Sequence, residues 1–228
     1  MNTDRAILVT GTLLALTLVL FETTSLDLLV QDRLYDPASG WRVRGDAPWP
    51  RLIFYHAPTA IVGAILVGLL VRIALPASRS IRIPFSRRDA VFLFVCISLI
   101  VASAWLLKNL TGVFSPREIA RYGGEQPYRK LLEAIPYVPG RARGDGFPAT
   151  HCSGAFALMS LYFILDGRTA RRLGLLCGLA FGWIVGIYQM LKGAHYLSHT
   201  VVTMILAWMM VQVLSRVIPV QRENGAAR

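Results

Sequence analysis

Three of the four histidines in this chain sit beside lysines or proline-glycine turns, at the mouths of apolar runs. In "QMLKGAHYLSH", Lys192 precedes His195 and His199 lies one helical turn beyond it. In "GDGFPATHCSG", Thr150 and His151 open another apolar run, and Lys108 closes a third. Two imidazoles among cations suit phosphoryl transfer. A phosphoester carries its charge on oxygens that cations and backbone N–H groups hold well. One neutral imidazole attacks phosphorus, and a second, protonated, hands its proton to the leaving alkoxide. The ring serves either role because it titrates near operating pH. A helix starting at Thr150 would add free N–H groups that favour an anion.

The elements that must position these groups are apolar helices. The chain has 228 residues, of which 54% are hydrophobic and only 16% charged, with a mean hydropathy of +0.50. A soluble domain carries about a quarter charged residues. Six runs are candidate spans: Ala6–Phe21, Leu52–Leu75, Ala90–Leu107, Ser153–Leu165, Leu173–Leu191 and Thr200–Ile218. The expected class is all-α, a single integral membrane domain over residues 1–228 with six transmembrane helices. The first and fourth runs are short of the roughly 20 residues that a bilayer needs. "RAILVTGTLLALTLVLFETT" lacks a small-x-small cleavage site and is expected to remain as a first helix. Short interfacial helices are expected in "TTSLDLLVQDRLYDP" and near Tyr128–Ile135, with Trp41 and Trp49 as interfacial anchors.

The net charge of +11 is compatible with nucleic acid or with a membrane and an anionic substrate. The apolar runs exclude the first. Arg79, Arg82, Arg87 and Arg88, then Arg168, Arg171 and Arg172, then Arg216 and Arg222 fall in alternate connections, so the positive-inside rule places both termini in the cytoplasm. The opposite face receives Lys108, Arg117, Arg121, Arg129, Lys130, Arg141, Arg143 and Lys192, all four histidines except His56 sharing it. Cations retained there imply work for positive charge, or pairing with Glu118, Glu125, Glu133 and Asp145. Cys96, Cys152 and Cys177 read as small buried hydrophobes, and no metal-ligand spacing or internal repeat occurs.

In order and spacing, these stretches resemble the type 2 phosphatidic acid phosphatase superfamily, whose motifs are K-x6-R-P, P-S-G-H and S-R-x5-H-x3-D. "KNLTGVFSP" (Lys108–Pro116) is similar to the first, with Ser115 at the arginine position and Arg117 next to it. "PATH" (Pro148–His151) is similar to the second, with Ala149 and Thr150 replacing Ser and Gly. "YQMLKGAHYLSH" (Tyr188–His199) is similar to the third, with Gln189 for arginine and His199 for aspartate. The resemblance covers roughly residues 90–215 and implies six spans with the site at their periplasmic ends, in a bacterial inner membrane.

The resemblance implies His195 as a nucleophile forming a phosphohistidine and His151 as the acid, then the base that activates water. His199 takes the orienting position, with Asp145 as a further source of negative charge. Lys108, Arg117 and Lys192 would clamp phosphate with Thr150 and Gln189, and Arg141 and Arg143 stand near for a larger headgroup. The implied activity is metal-independent and cofactor-free hydrolysis of a lipid phosphate or diphosphate, in the class of lipid A, undecaprenyl diphosphate or phosphatidylglycerophosphate. Two alternatives stay open: a phosphotransferase, and a non-catalytic lipid-binding homologue that would explain Ser115, Ala149, Gln189 and His199. The partners implied are the lipid substrate and membrane lipids, not nucleic acid; oligomeric state is not indicated.

Overall fold

The structure is a computed structural model that describes residues 3–75, 86–133, 143–218 and 220. Arg79, Arg82, Arg141 and Arg222 lie outside the described residues. In chain order the helices are α1 (Thr3–Thr23), α2 (Leu26–Gln31), α3 (Pro48–Arg51), α4 (Ala57–Ala74), α5 (Arg87–Thr111), α6 (Thr150–Ala157), α7 (Leu161–Ile164), α8 (Arg168–Leu191) and α9 (Leu197–Val217). A π-helical turn, Leu52–His56, joins α3 to α4, and a 3-10 turn, Leu158–Ser160, joins α6 to α7. A two-stranded hairpin, β1 (Tyr35–Asp36) with β2 (Gly40–Trp41), follows α2.

Local signals set the ends of the central helix, α5. The Ser86 hydroxyl accepts from the Asp89 N–H (3.1 Å) and the Asp89 carboxylate accepts from the Ser86 N–H (3.0 Å), which satisfies two donors that the helix leaves open. The other end stops at Gly112, whose φ of 63° lies in the left-handed region. Along α5, Phe92, Cys96, Ile97 and Ile100 enter the core and meet Phe156, Met159, Val185 and Val211 from the helices around it.

Helix α8 approaches α6, α7 and the turn between them through Gly174, Gly178 and Gly182, one glycine per turn, and a fourth, Gly186, faces Thr200 on α9. A Cβ at Gly178 would strike the backbone of Leu158 and Met159, and one at Gly182 the ring of Phe156. With little gain from hydrophobicity inside a bilayer, such close backbone approach is how helices associate there.

Among the described residues, five apolar helical runs are long enough to cross a bilayer: Asp4–Thr23, Pro48–Ala74, Arg87–Glu118, Arg168–Leu191 and Leu197–Val217. Thr150–Ile164, where a fourth span was expected, is shorter. It is walled in by α5, α8 and α9, and Cys152 through Ala157 are all buried, so the surrounding helices face the lipid in its place. Leu8, Leu13 and Leu16 on α1, Ile61 and Val67 on α4, and Leu176 and Ile184 on α8 point outward. Apolar surface of this extent on helices whose backbones are self-satisfied fits hydrocarbon. The chain is a multi-pass membrane protein.

The connections α1–α4, α5–α6 and α8–α9 gather at one end. There the Arg117 N–H donates to the Gly193 carbonyl (2.9 Å) and the Val43 N–H to that of Leu191 (3.2 Å). Arg121 makes a two-pronged pair with Asp32 (2.8 and 2.7 Å), and Lys130 donates to the Glu22 carbonyl (2.6 Å). At the other end Arg216 pairs with Asp4.

Three expectations need correction. Helix α2 forms inside "TTSLDLLVQDRLYDP", but the described part of Tyr128–Ile135 is irregular, because Glu22 and Glu133 capture its backbone N–H groups. Trp49 is exposed, whereas Trp41 packs over Gly193 and against Tyr35 and Tyr122. Cys177 is exposed on the outer face of α8, unlike Cys96 and Cys152.

Candidate active site

The turn between α8 and α9 carries His195. It forms because Gly193, at φ 71°, reverses the chain, and its N–H and that of Ala194 bond back to Met190 (3.0 Å) and Gln189 (2.8 Å). Only glycine fits, since a Cβ there would enter the Trp41 indole. His195 is left 2% exposed.

Residues 143–149 run beside the end of α5. The Gly144 N–H donates to Gly112 (3.2 Å) and the Gly146 N–H to Val113 (2.7 Å), and a Cβ on Gly144 would collide with the Val113 backbone. This close pairing turns the Gly146 carbonyl toward His195, 2.7 Å from Nδ1. A carbonyl only accepts, so Nδ1 carries the proton and Nε2 keeps its lone pair. Nε2 faces Nδ1 of His151, 3.3 Å away, which must therefore be the donor. His151 stands in the first turn of α6, after a cis Phe147–Pro148 bond. The two rings expected to work together thus meet, from α6 and the α8–α9 turn.

His199 is 3% exposed and its Nδ1 has no partner among the described residues. Its ring lies edge-on to those of His195, Phe147 and Tyr196, with centroids 5.8, 5.3 and 5.1 Å apart. It also rests on Gly146, where a Cβ would meet its Cε1 at 3.1 Å. The hydrogen bond on Nδ1 of His195 therefore comes from the Gly146 carbonyl, which His199 flanks. Asp145 pairs with Lys108 (2.9 Å).

Cations ring the pair. Lys108, 20% exposed at its side chain, lies beside His151 at the end of α5. Lys192 holds its ammonium 5.0 Å from the ring centres of both Tyr55 and Tyr188. Burial, then the charges of Arg117 and Arg51, lower its pKa to about 8. No ion pair holds Arg117, Lys192 or Arg51 among the described residues. Burial, then the neighbouring rings of His151 and His199, hold His195 well below the ordinary imidazole value, so it is neutral and nucleophilic at neutral pH.

The substituted motif positions have other engagements. Ser115 is buried and donates to the Glu118 carboxylate, which also accepts the Ser115 N–H at 2.7 Å, capping a 3-10 turn. Gln189 is fully buried, its amide unpartnered among the described residues, and so does not line the cleft with Lys192. Arg143 donates to the Leu110 carbonyl at the end of α5. Thr150 is half-buried in the groove wall.

That groove has a volume of about 300 Å³ and runs between α4, α5 and α6. Tyr55, Pro58, Val62, Val101 and Trp105 line its apolar length, and Lys108 and His151 form its polar end. Tyr55 was not legible as a site residue, since it lies inside an apolar run. The π-helical turn sets it 5.0 Å from the His151 ring, centre to centre. Such turns recur at functional sites.

A search of curated protein sequences gave no match. A solved structure, the "first transmembrane PAP2 type phosphatidylglycerolphosphate phosphatase from Bacillus subtilis", has a similar fold, with a TM-score of 0.55 and 12% identity over 92% of this chain and 94% of that one. The family model of the PAP2 superfamily matches residues 89–223, more than half of the chain, and includes His151, His195 and all three motif stretches. The chain belongs to the PAP2 superfamily.

Proposed function

We propose that this protein is a membrane lipid phosphatase that hydrolyses a phosphomonoester or diphosphate on an amphipathic lipid through a phosphohistidine. The observation that carries the reading is the 3.3 Å contact between Nδ1 of His151 and Nε2 of His195, with the 2.7 Å carbonyl contact behind it. The lipid tail lies along the groove toward Val62 and Trp105, and the phosphate enters between the two rings. Lys108, Arg117 and Lys192 hold its oxygens.

His195 Nε2 attacks phosphorus. The P–N bond forms as the P–O bond to the lipid breaks, and protonated His151 gives its proton to the departing alkoxide. His151 then takes a proton from water, whose oxygen attacks the phosphohistidine and frees phosphate and His195. Gly146 keeps the proton on Nδ1 and the lone pair on Nε2 through both steps. The chemistry needs no metal. His199 supports the carbonyl that orients His195.

Arg87, Arg88, Arg168, Arg171, Arg172 and Arg216 lie at the helix ends opposite the site. That bias favours a site facing the periplasm of a bacterial inner membrane, with six spans and both termini cytoplasmic.

The test is phosphate release from a panel of lipid phosphates and diphosphates by detergent-purified protein. Release is expected to persist in EDTA and to fall at least 10³-fold in His195→Ala and His151→Ala. Unchanged turnover in His195→Ala would remove it from the chemistry. Label passing to a second lipid, with no free phosphate, would make the enzyme a phosphotransferase. No turnover of any lipid phosphate, with lipid still bound, would leave a binding protein.

A further inference from the structure

The residues that hold the catalytic turn from behind lie outside the stretch matched by the family model, in the six-residue interfacial helix α2. Gln31 is completely buried, and its amide donates to the carbonyls of Met190 (3.1 Å) and His195 (3.4 Å). One turn earlier, Asp27 is 7% exposed. Its carboxylate accepts from the Ser198 N–H (2.8 Å) and hydroxyl (2.5 Å) at the start of α9. Both side chains therefore grip the chain on either side of the His195 ring. Asp32, just past α2, is tied in turn to Arg121 and to the Tyr122 hydroxyl (2.9 Å), so α2 is itself anchored to the α5–α6 connection.

Ionised or amide groups buried in an apolar surround cost stability unless they are satisfied. An interfacial helix could bury leucine at these two places. Gln31 and Asp27 instead meet the catalytic turn: the Gln31 N–H groups donate to two of its carbonyls and both Asp27 oxygens accept from Ser198, while Gln31 Oε1 has no partner among the described residues. The Asp27 carboxyl is also pushed up to about 6 by burial, against the downward pull of the Ser198 bonds, so this contact is made at a cost.

We propose that Gln31 and Asp27 are positioning residues that set the height and tilt of His195 against the Gly146 carbonyl and His151. The inference rests on the phosphatase reading for its kinetic effect, but not for its structural effect. Displacing a reacting group by about 1 Å can cost on the order of 100-fold in rate.

The experiment compares Gln31→Met, Asp27→Leu and Asp27→Asn with wild type and with Leu29→Ala, an exposed position on the same helix. Met and Leu keep volume but lose the hydrogen bonds, whereas Asn keeps an acceptor for the Ser198 N–H. Gln31→Met and Asp27→Leu are expected to lower kcat 10- to 100-fold with KM within about 2-fold, while Asp27→Asn recovers most of it and Leu29→Ala is unchanged. In parallel, ¹⁵N NMR of labelled histidine reads the His195 tautomer. Wild type is expected to show Nδ1–H alone, and Gln31→Met a mixture. Wild-type kcat and an unmixed tautomer in Gln31→Met would overturn the proposal. So would an equal loss in Asp27→Asn and Asp27→Leu. If wild type turns over no lipid phosphate but the tautomer still mixes, the positioning stands and the phosphatase reading falls.

Discussion

Adding one methyl group at Gly182 tests whether the close α8–α6 contact holds the site together. In the structure a Cβ there falls inside the ring of Phe156, which is itself 0% exposed. Overpacking of this kind costs about 1–3 kcal/mol. Against it, alanine in a helix interior gains up to about 1 kcal/mol over glycine. Gly63 on α4 isolates the first term, because a Cβ there meets nothing within 4 Å and Gly63→Ala carries the same propensity gain. The propensity terms cancel between the two variants, leaving a difference of about 1–3 kcal/mol, or roughly 2–12 °C at the 2–4 °C per kcal/mol usual for chains of this length. Thermal unfolding in detergent can be followed with a thiol-reactive fluorophore. The buried Cys96 and Cys152 become reactive on unfolding and report the transition, over the baseline that Cys177 gives on the lipid-facing side of α8. Phe156 stands on the same helix as His151, so Gly182→Ala is also expected to lower turnover. An unfolding temperature for Gly182→Ala equal to or above that of Gly63→Ala would refute the packing argument.

Other outcomes follow from the charges and caps. His195 is held neutral to lower pH than a free imidazole, so the acid limb of kcat/KM is expected below pH 6.5; a limb above 6.5 would contradict it. Lys192 keeps its charge below about 8 and loses it as pH rises, so KM should climb between pH 7 and 9, and Lys192→Arg should flatten that rise in the same assay. Restoring the family residue with Ser115→Arg is expected to cost about 1 kcal/mol or more, from the lost cap and the buried charge, with no gain in turnover. Unfolding and activity measured together would check it.

What the sequence made legible was local. Apolar runs mark helices by composition alone, and the spacing from Lys192 to His199 survives into the structure because it spans a single turn. The partnership of His151 with His195 was legible only through motif order, and the contact requires α6 to pack onto the glycines of α8. The orienting group was invisible, because a backbone carbonyl has no letter in a sequence. "GDGFP" could have pointed to it only as a glycine-rich approach to another backbone. Gln31 and Asp27 left a faint trace, two polar residues one turn apart in an otherwise apolar "LDLLVQ".

Three of the changed motif positions also make physical sense together. The family pattern places an aspartate behind the nucleophile and two arginines in front, and this chain has His199, Ser115 and Gln189 there. Arg117 and Lys192 return two positive charges to the front of the site, while Gly146 returns a hydrogen-bond acceptor but no full negative charge to the back. A carbonyl fixes the tautomer as well as a carboxylate does, yet it stabilises an imidazolium less. In the proposed reaction the phosphohistidine carries that burden. The site must therefore draw more of its stabilisation from the phosphate side, where Lys192 sits half-desolvated between two tyrosine rings and gains most from an arriving anion. On this account Lys192 matters more to turnover here than the substituted arginine position beside it, and loss of its charge should weigh on kcat as well as on KM.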